Sequence, residues 1–233
     1  MALKDVSKTL GQRNQEYFDS AAKDAYKEKW IHDLVEQISQ YLKDNIDWIV
    51  PKDSKQVRIL DYACGGGIVS KSLASAAHEL RGIDVSGGMV DAYNKSAKDL
   101  GLSPQQMCAI RGDLSSDALD EQDLFNFNVA GMSMALHHVE SPEDMIVKLT
   151  QRLAPGGTLL IIDWVTHADP QVGGSHSHPA AHTVTRHGFS EKEMAEMYTA
   201  AGLSNFDIRL HPERSTVPGG GTQQLFFALG RLE

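Results

Sequence analysis

Between Trp30 and Ile49 apolar side chains fall at Trp30, Ile31, Leu34, Val35, Ile38, Tyr41, Leu42 and Ile46, three or four residues apart with charges between them. That period is the stripe of an amphipathic helix, which Pro51 ends. Upstream, Tyr17, Phe18 and Tyr26 punctuate a polar stretch that predicts a shorter helix, so residues 1–50 read as a helical cap. After Pro51 the pattern changes to short apolar runs separated by helical stretches. It predicts strands at 57–62, 78–84, 106–111, 125–132, 157–164, 205–210 and 222–229. Strands alternating with helices predict βαβ units and an α/β domain over residues 51–233, with a mostly parallel seven-stranded sheet and helices on both faces. Ser86 is placed to cap a helix over Met89, Ala92, Tyr93 and Leu100, closed by Gly101. Ser141-Pro142 starts another over Met145, Ile146, Leu149 and Leu153, stopped by Pro155-Gly156-Gly157. A third opens on the capping box Ser190 to Glu193 and ends at Gly202. The glycine-rich stretch from Pro212 to Gly221 between the last two strands then predicts that they form an antiparallel hairpin at the sheet's end, giving an antiparallel C-terminal strand.

Composition narrows the partners. The chain has 233 residues, 41% hydrophobic and 23% charged, as in an ordinary globular protein with a substantial core. A net charge of -9 with no Lys/Arg cluster disfavours nucleic acid, whose phosphates need cationic contacts. The longest apolar stretch, Thr158 to Val165, contains Asp163 and is too short for a membrane span. Met1 to Leu10 lacks a signal-peptide core, so the expected location is cytoplasmic. Cys64 and Cys108 supply neither a disulfide framework nor a metal-ligand spacing.

The chemistry gathers at two strand ends. Asp61-Tyr62-Ala63-Cys64-Gly65-Gly66-Gly67 closes the run Val57 to Leu60, and a second run ends on Gly82-Ile83-Asp84 about one helix later. In a parallel sheet both acids face a crevice beyond the carboxyl ends of the strands, and the glycines let backbone pass close to a ligand there. The dinucleotide fingerprint lacks its third glycine, because Ser70 stands in its place. A phosphate-binding P-loop fails by one residue, since Ser70-Lys71-Ser72 stands where Gly-Lys-Ser is required, and Asp61 would repel a triphosphate. A cationic, amino-acid-bearing nucleoside welcomes both carboxylates.

From about residue 55 to 233 the chain resembles the class I S-adenosylmethionine-dependent methyltransferases, of the small-molecule type similar to those of quinone biosynthesis. Leu60 to Gly67 looks like that family's first motif with Ala63 at its first glycine. Gly82 to Ser86 followed by Met89 looks like the second, Arg111-Gly112-Asp113-Leu114 the third, Phe127 to His138 the fourth strand and its loop, and Leu153 to Leu159 the turn into the fifth. The resemblance implies a Rossmann-like fold, S-adenosylmethionine as cofactor, and methyl transfer to a small-molecule acceptor. It implies that the methionine part of the cofactor lies on Ala63, Gly65 and Gly67 with Asp61 drawing its ammonium directly or through water, and that Asp84, with Val85 beside it, accepts from both ribose hydroxyls. Asp113 on Gly112 then accepts from the adenine amino group, Met89 and Leu114 sandwich the ring, and Met132 and Ser133 pass near the methionine end. A cofactor-binding protein of the same fold that transfers no methyl group is the alternative, and a P-loop-like hydrolase a more distant one.

Methyl transfer is an in-line displacement in which alignment alone supplies ~7 to 11 kcal/mol of the barrier. A hydroxyl acceptor adds a need for a general base. His137, after the fourth strand, Asp163, at the end of the fifth, and His187, ahead of the last capped helix, are the candidates. His167, His176, His178, His182 and His187 crowd the segment after the fifth strand, but their spacing matches no metal site, so the expectation is no metal and a lid over the acceptor pocket. Tyr17, Phe18, Tyr26 and Trp30 are placed to close the cap. The expected partner is a small-molecule acceptor, and the expected state a monomer or homodimer.

Overall fold

In the computed structural model the described residues are 8–22, 28–52, 55–116, 119, 122–166, 182–218 and 221–233. Two helices lead, α1 (Leu10–Ala21) and α2 (Lys29–Asp44), with one turn, α3 (Ile46–Ile49), behind them. The single helix expected from Trp30 to Ile49 is broken at Asn45, whose φ of -116° leaves the helical region and whose side-chain amide donates to the Tyr41 carbonyl. Then come β1 (Arg58–Tyr62), α4 (Ile68–Leu73), β2 (Glu79–Asp84), α5 (Gly87–Asp99), β3 (Met107–Arg111), β4 (Phe127–Ser133), α6 (Pro142–Thr150), β5 (Leu153–Trp164), α7 (Glu191–Ala200) and β6 (Leu203–Leu210). The chain ends in β7 (Ser215–Val217), β8 (Gly221–Gln223) and β9 (Leu225–Leu232).

Seven strands form one sheet in the order β3-β2-β1-β4-β5-β9-β6. β1 lies parallel between β2 and β4, while β9 enters antiparallel between β5 and β6. The winding reverses between β1 and β4, which makes the carboxyl ends of those two strands the switch point where such sheets hold ligands. The glycine-rich connection from Pro212 to Gly221 is more than a link. It carries β7 and leads into β8, which pair as a separate two-stranded hairpin.

Both faces are covered. α6 and α7 bury Met145, Ile146, Leu149, Met194 and Tyr198 with Leu60, Phe127 and Phe226 on one side. On the other, α2, α4 and α5 bury Leu34, Ile38, Leu42, Leu73 and Tyr93 with Ile59, Val129 and Leu160. The stripe read in residues 30–49 is therefore part of the same apolar cluster as the sheet, each such side chain contributing about 1.5–3 kcal/mol. The helix starts behave as their sequences predict at Ser86, which accepts from Met89 N, and at Ser190, which forms the full capping box with Glu193. Ser141 does not cap; its hydroxyl donates to Asp144, and Pro142 opens α6 instead. No described helix is long and apolar enough to cross a membrane.

Candidate active site

A cavity of about 480 Å³ lies beyond the carboxyl ends of β1, β2, β4 and β5, a volume in the usual range for ligand pockets. The strand order sets its two halves. On the β2–β3 side Tyr62, Asp84, Val85, Met89 and Asp113 line it; on the β5–β9 side its wall is Trp30, Leu34, Ile38, Trp164, Val217 and Gln223. Ala63, Gly65, Met132, Ser133 and His137 complete the lining at the central strands.

Asp84 is 7% exposed and its carboxylate opens into the cavity while accepting from Gly65 N and Ser86 N, both at 2.9 Å. Each oxygen retains a lone pair for a further donor. Burial raises its pKa, with the two backbone N–H groups pulling the other way. Asp113 sits across from it, and its Oδ1 accepts from Ser115 N at 2.8 Å and from the Tyr62 hydroxyl at 3.0 Å. Tyr62, the last residue of β1, thus orients Asp113. Within the first motif no spacing signals this role, because the carboxylate that the Tyr62 hydroxyl meets lies on another strand end.

Asp61 takes a different place from the one expected. It is 1% exposed, lines none of the cavity, and accepts from Ser70 N at 3.0 Å. The cause is local: α4 starts on Gly67, which sits at φ 81° and has no side chain to cap with, so the Asp61 carboxylate satisfies a first-turn N–H in its stead. A Cβ on Gly67 would also meet Tyr93 at 3.0 Å. The helix N-terminus that a P-loop would use for phosphate is therefore already filled by an acid. A direct grip on an ammonium is not available to Asp61 in this arrangement. Gly67, Gly112 and Leu114 likewise stand behind the cavity wall, Gly112 N bonding to Asp84 O and Leu114 N to the Tyr62 hydroxyl. Leu114 consequently presents no face to a ring in the cavity, whereas Met89 does. Ala63 adopts φ 52°, the left-handed backbone that the usual glycine would take freely, a strain of about 1–2 kcal/mol held at the cavity wall.

Burial pushes the Asp61 pKa from 3.8 up to about 7, the Ser70 N–H and hydroxyl acting in the opposite sense. The folded protein then holds a proton that the unfolded chain releases above about pH 4. Stability from this group is present below that pH and is lost as pH rises toward 7, of the order of 4 kcal/mol in all. Asp61→Asn is expected to flatten the fall in urea midpoint between pH 4 and 7 relative to the parent protein. An unchanged slope in that variant would assign the titration elsewhere.

His137 and Asp163 come together. Asp163, fully buried at the end of β5, accepts from His137 Nδ1 at 2.8 Å, from His137 N at 3.2 Å and from Trp164 N at 2.7 Å. His137 lines the cavity and Asp163 stands behind it. With Nδ1 donating to the carboxylate, Nε2 is the ring nitrogen left to accept a proton. His187 also lines the cavity, beside Arg186. His167, His176, His178 and Tyr26 lie outside the described residues, and no cluster of three metal-binding side chains occurs among the described ones.

α1 lies across the strand ends. Asn14 donates to His138 O at 3.0 Å, Phe18 meets the His138 ring edge-on, and Asp19 accepts from Ser86 Oγ at 2.6 Å at the start of α5. A Cβ on Gly11 would lie 3.4 Å from the Asp113 carboxylate. The Asn14 side-chain oxygen and the Ser133 hydroxyl are buried without a hydrogen-bond partner among the described residues, and both residues line the cavity. An ammonium and a pair of ribose hydroxyls are the donors that these two atoms and Asp84 lack, so the donor and acceptor set fits S-adenosylmethionine.

The family model of the methyltransferase domain matches residues 34–207, well over half of the chain. The chain belongs to the S-adenosylmethionine-dependent methyltransferases. An uncharacterized methyltransferase of Schizosaccharomyces pombe is 33% identical over 156 residues, covering 64% of this chain and 54% of that protein. A ubiquinone biosynthesis O-methyltransferase of Methylococcus capsulatus is 30% identical over 102 residues, 44% of this chain and 41% of its own. The methyltransferase thus spans about half the length of these curated relatives. Among solved structures, magnesium protoporphyrin IX methyltransferase from Synechocystis, with bound SAH, superposes at a TM-score of 0.64 with 15% identity, over 95% of this chain and 99% of that one. That likeness speaks for the fold.

Proposed function

We propose that this methyltransferase moves a methyl group from S-adenosylmethionine to a hydroxyl oxygen of a small-molecule acceptor. The observation that carries this reading is the His137–Asp163 pair at the wall of the cavity that also holds Asp84. The cofactor supplies an activated methyl group when bound. Asp84 would hold its ribose hydroxyls, Asp113 held by Tyr62 its adenine amino group, and Ser133 and Asn14 its ammonium, supplying the direct contacts that buried Asp61 does not make. His137 Nε2 takes the proton of the acceptor hydroxyl, and Asp163 keeps Nδ1 protonated and the ring in place. The apolar residues of α2 with Trp164 and Val217 exclude water beside the acceptor. The relatives acting in ubiquinone biosynthesis, by their name O-methyltransferases, support an oxygen acceptor.

The test is transfer of labelled methyl from S-adenosylmethionine to a panel of hydroxylated aromatic compounds, with amine and thiol analogues alongside. Methyl ethers are the expected products. Asp163→Asn is expected to lower kcat roughly 10²- to 10⁴-fold and to shift its pH profile, because an amide no longer selects the Nδ1–H tautomer. Bound cofactor with no product in any acceptor class would favour a cofactor-binding protein of this fold that transfers nothing.

A further inference from the structure

In the lobe beneath α2, Gln223 is 6% exposed and lines the cavity. Its carboxamide makes no hydrogen bond with the described residues, although its backbone is paired with Ser215. The same cavity is lined by the apolar Trp30, Leu34, Ile38, Trp164 and Val217. A few polar groups set in a mostly apolar pocket are the usual means by which it orients a ligand.

The register places this amide with the chemistry. Trp164 pairs with Leu225, and Val165 N donates to Gln224 O, so Gln223 lies just past the carboxyl end of β5, the strand that carries Asp163. Its position is also braced. The Ser215 hydroxyl donates to Gln37 Oε1 at 2.5 Å, and Gln37 Nε2 donates to Glu213 O at 3.1 Å, which ties the β7-β8 hairpin to α2.

We infer that Gln223 is a specificity-determining residue that hydrogen-bonds a neutral oxygen, a carbonyl in the simplest case, on the side of an apolar ring acceptor remote from the hydroxyl that faces His137. The acceptor class is a hydroxylated aromatic ring system bearing this second oxygen. The inference rests on the hydroxyl-acceptor reading above. Its experiment needs no turnover: calorimetric titration of the methyltransferase saturated with S-adenosylhomocysteine, using 2-naphthol and its derivatives carrying an acetyl group on the second ring. An acetyl derivative is expected to bind about 2- to 10-fold more tightly than 2-naphthol, the range of one hydrogen bond. Gln223→Leu should erase that preference while leaving the affinities for 2-naphthol and S-adenosylhomocysteine in place, and Gln223→Glu, which keeps the side-chain length but not the donor, should erase it too. The inference is overturned if the parent protein binds none of these compounds, if both variants retain the acetyl preference, or if they weaken the two ligands alike. Should the compounds bind as expected and yet receive no methyl group, the oxygen-transfer reading falls and the role of Gln223 stands.

Discussion

Replacing His137 by alanine is expected to lower kcat for methyl transfer to a hydroxyl acceptor by about 10²- to 10⁴-fold, the contribution of a positioned general base. Affinity for S-adenosylmethionine should stay within about twofold, because Asp163 keeps the backbone N–H groups of residues 137 and 164 as donors and the Thr185 N–H keeps the carbonyl of residue 137. Calorimetry and initial rates on the same preparation separate the two quantities. The loss should shrink as pH rises and the acceptor hydroxyl ionises unaided. A variant that turns over at the parental rate at neutral pH would remove His137 from the chemistry and leave alignment as the sole contribution of the protein.

Asp84→Ala carries the second large effect, on binding. Charge-assisted hydrogen bonds contribute about 1.5–3 kcal/mol each, and two ribose hydroxyls lost together correspond to roughly 10²- to 10⁴-fold in Kd. Two more groups suffer in the protein itself, since Gly65 N and Ser86 N lose the acceptor that shapes the turns at the ends of β1 and β2. Asp84→Asn keeps one oxygen and should retain an intermediate affinity. Titration of S-adenosylmethionine into both variants tests this, and undiminished binding in the alanine variant would remove the ribose assignment.

The two acids around the glycine turn show how far the chain alone can be read. Both end apolar runs, and their spacing alone treats them as equivalent. Asp84 opens into the cavity, whereas Asp61 turns inward to the Ser70 N–H, and the difference arises because α4 begins on a glycine that cannot cap itself. No spacing rule reports which way a strand-end carboxylate will turn, since the deciding donor belongs to the next helix. Gln223 and Tyr62 were illegible for a related reason. Gln223 reaches the cavity only because β9 returns between β5 and β6 and brings residue 223 beside the end of β5, and Tyr62 reaches Asp113 fifty-one positions along the chain through its hydroxyl. The pairing of His137 with Asp163 lay halfway: each was visible as a candidate, but their 2.8 Å contact depends on β4 and β5 being neighbours in register.

What the chain determined by itself was the alternation of strands and helices, the caps at Ser86 and Ser190, the acids at the ends of β1 and β2 and the antiparallel close of the sheet. These follow from hydrophobic period and turn chemistry, which act over a few residues. The tertiary structure decided which acid opens into the cavity, which histidine acquires a carboxylate behind it, and which apolar residues line the same cavity. Those outcomes depend on burial and on partners far apart in sequence, and a buried polar group takes its role from whatever donor or acceptor the fold sets opposite it.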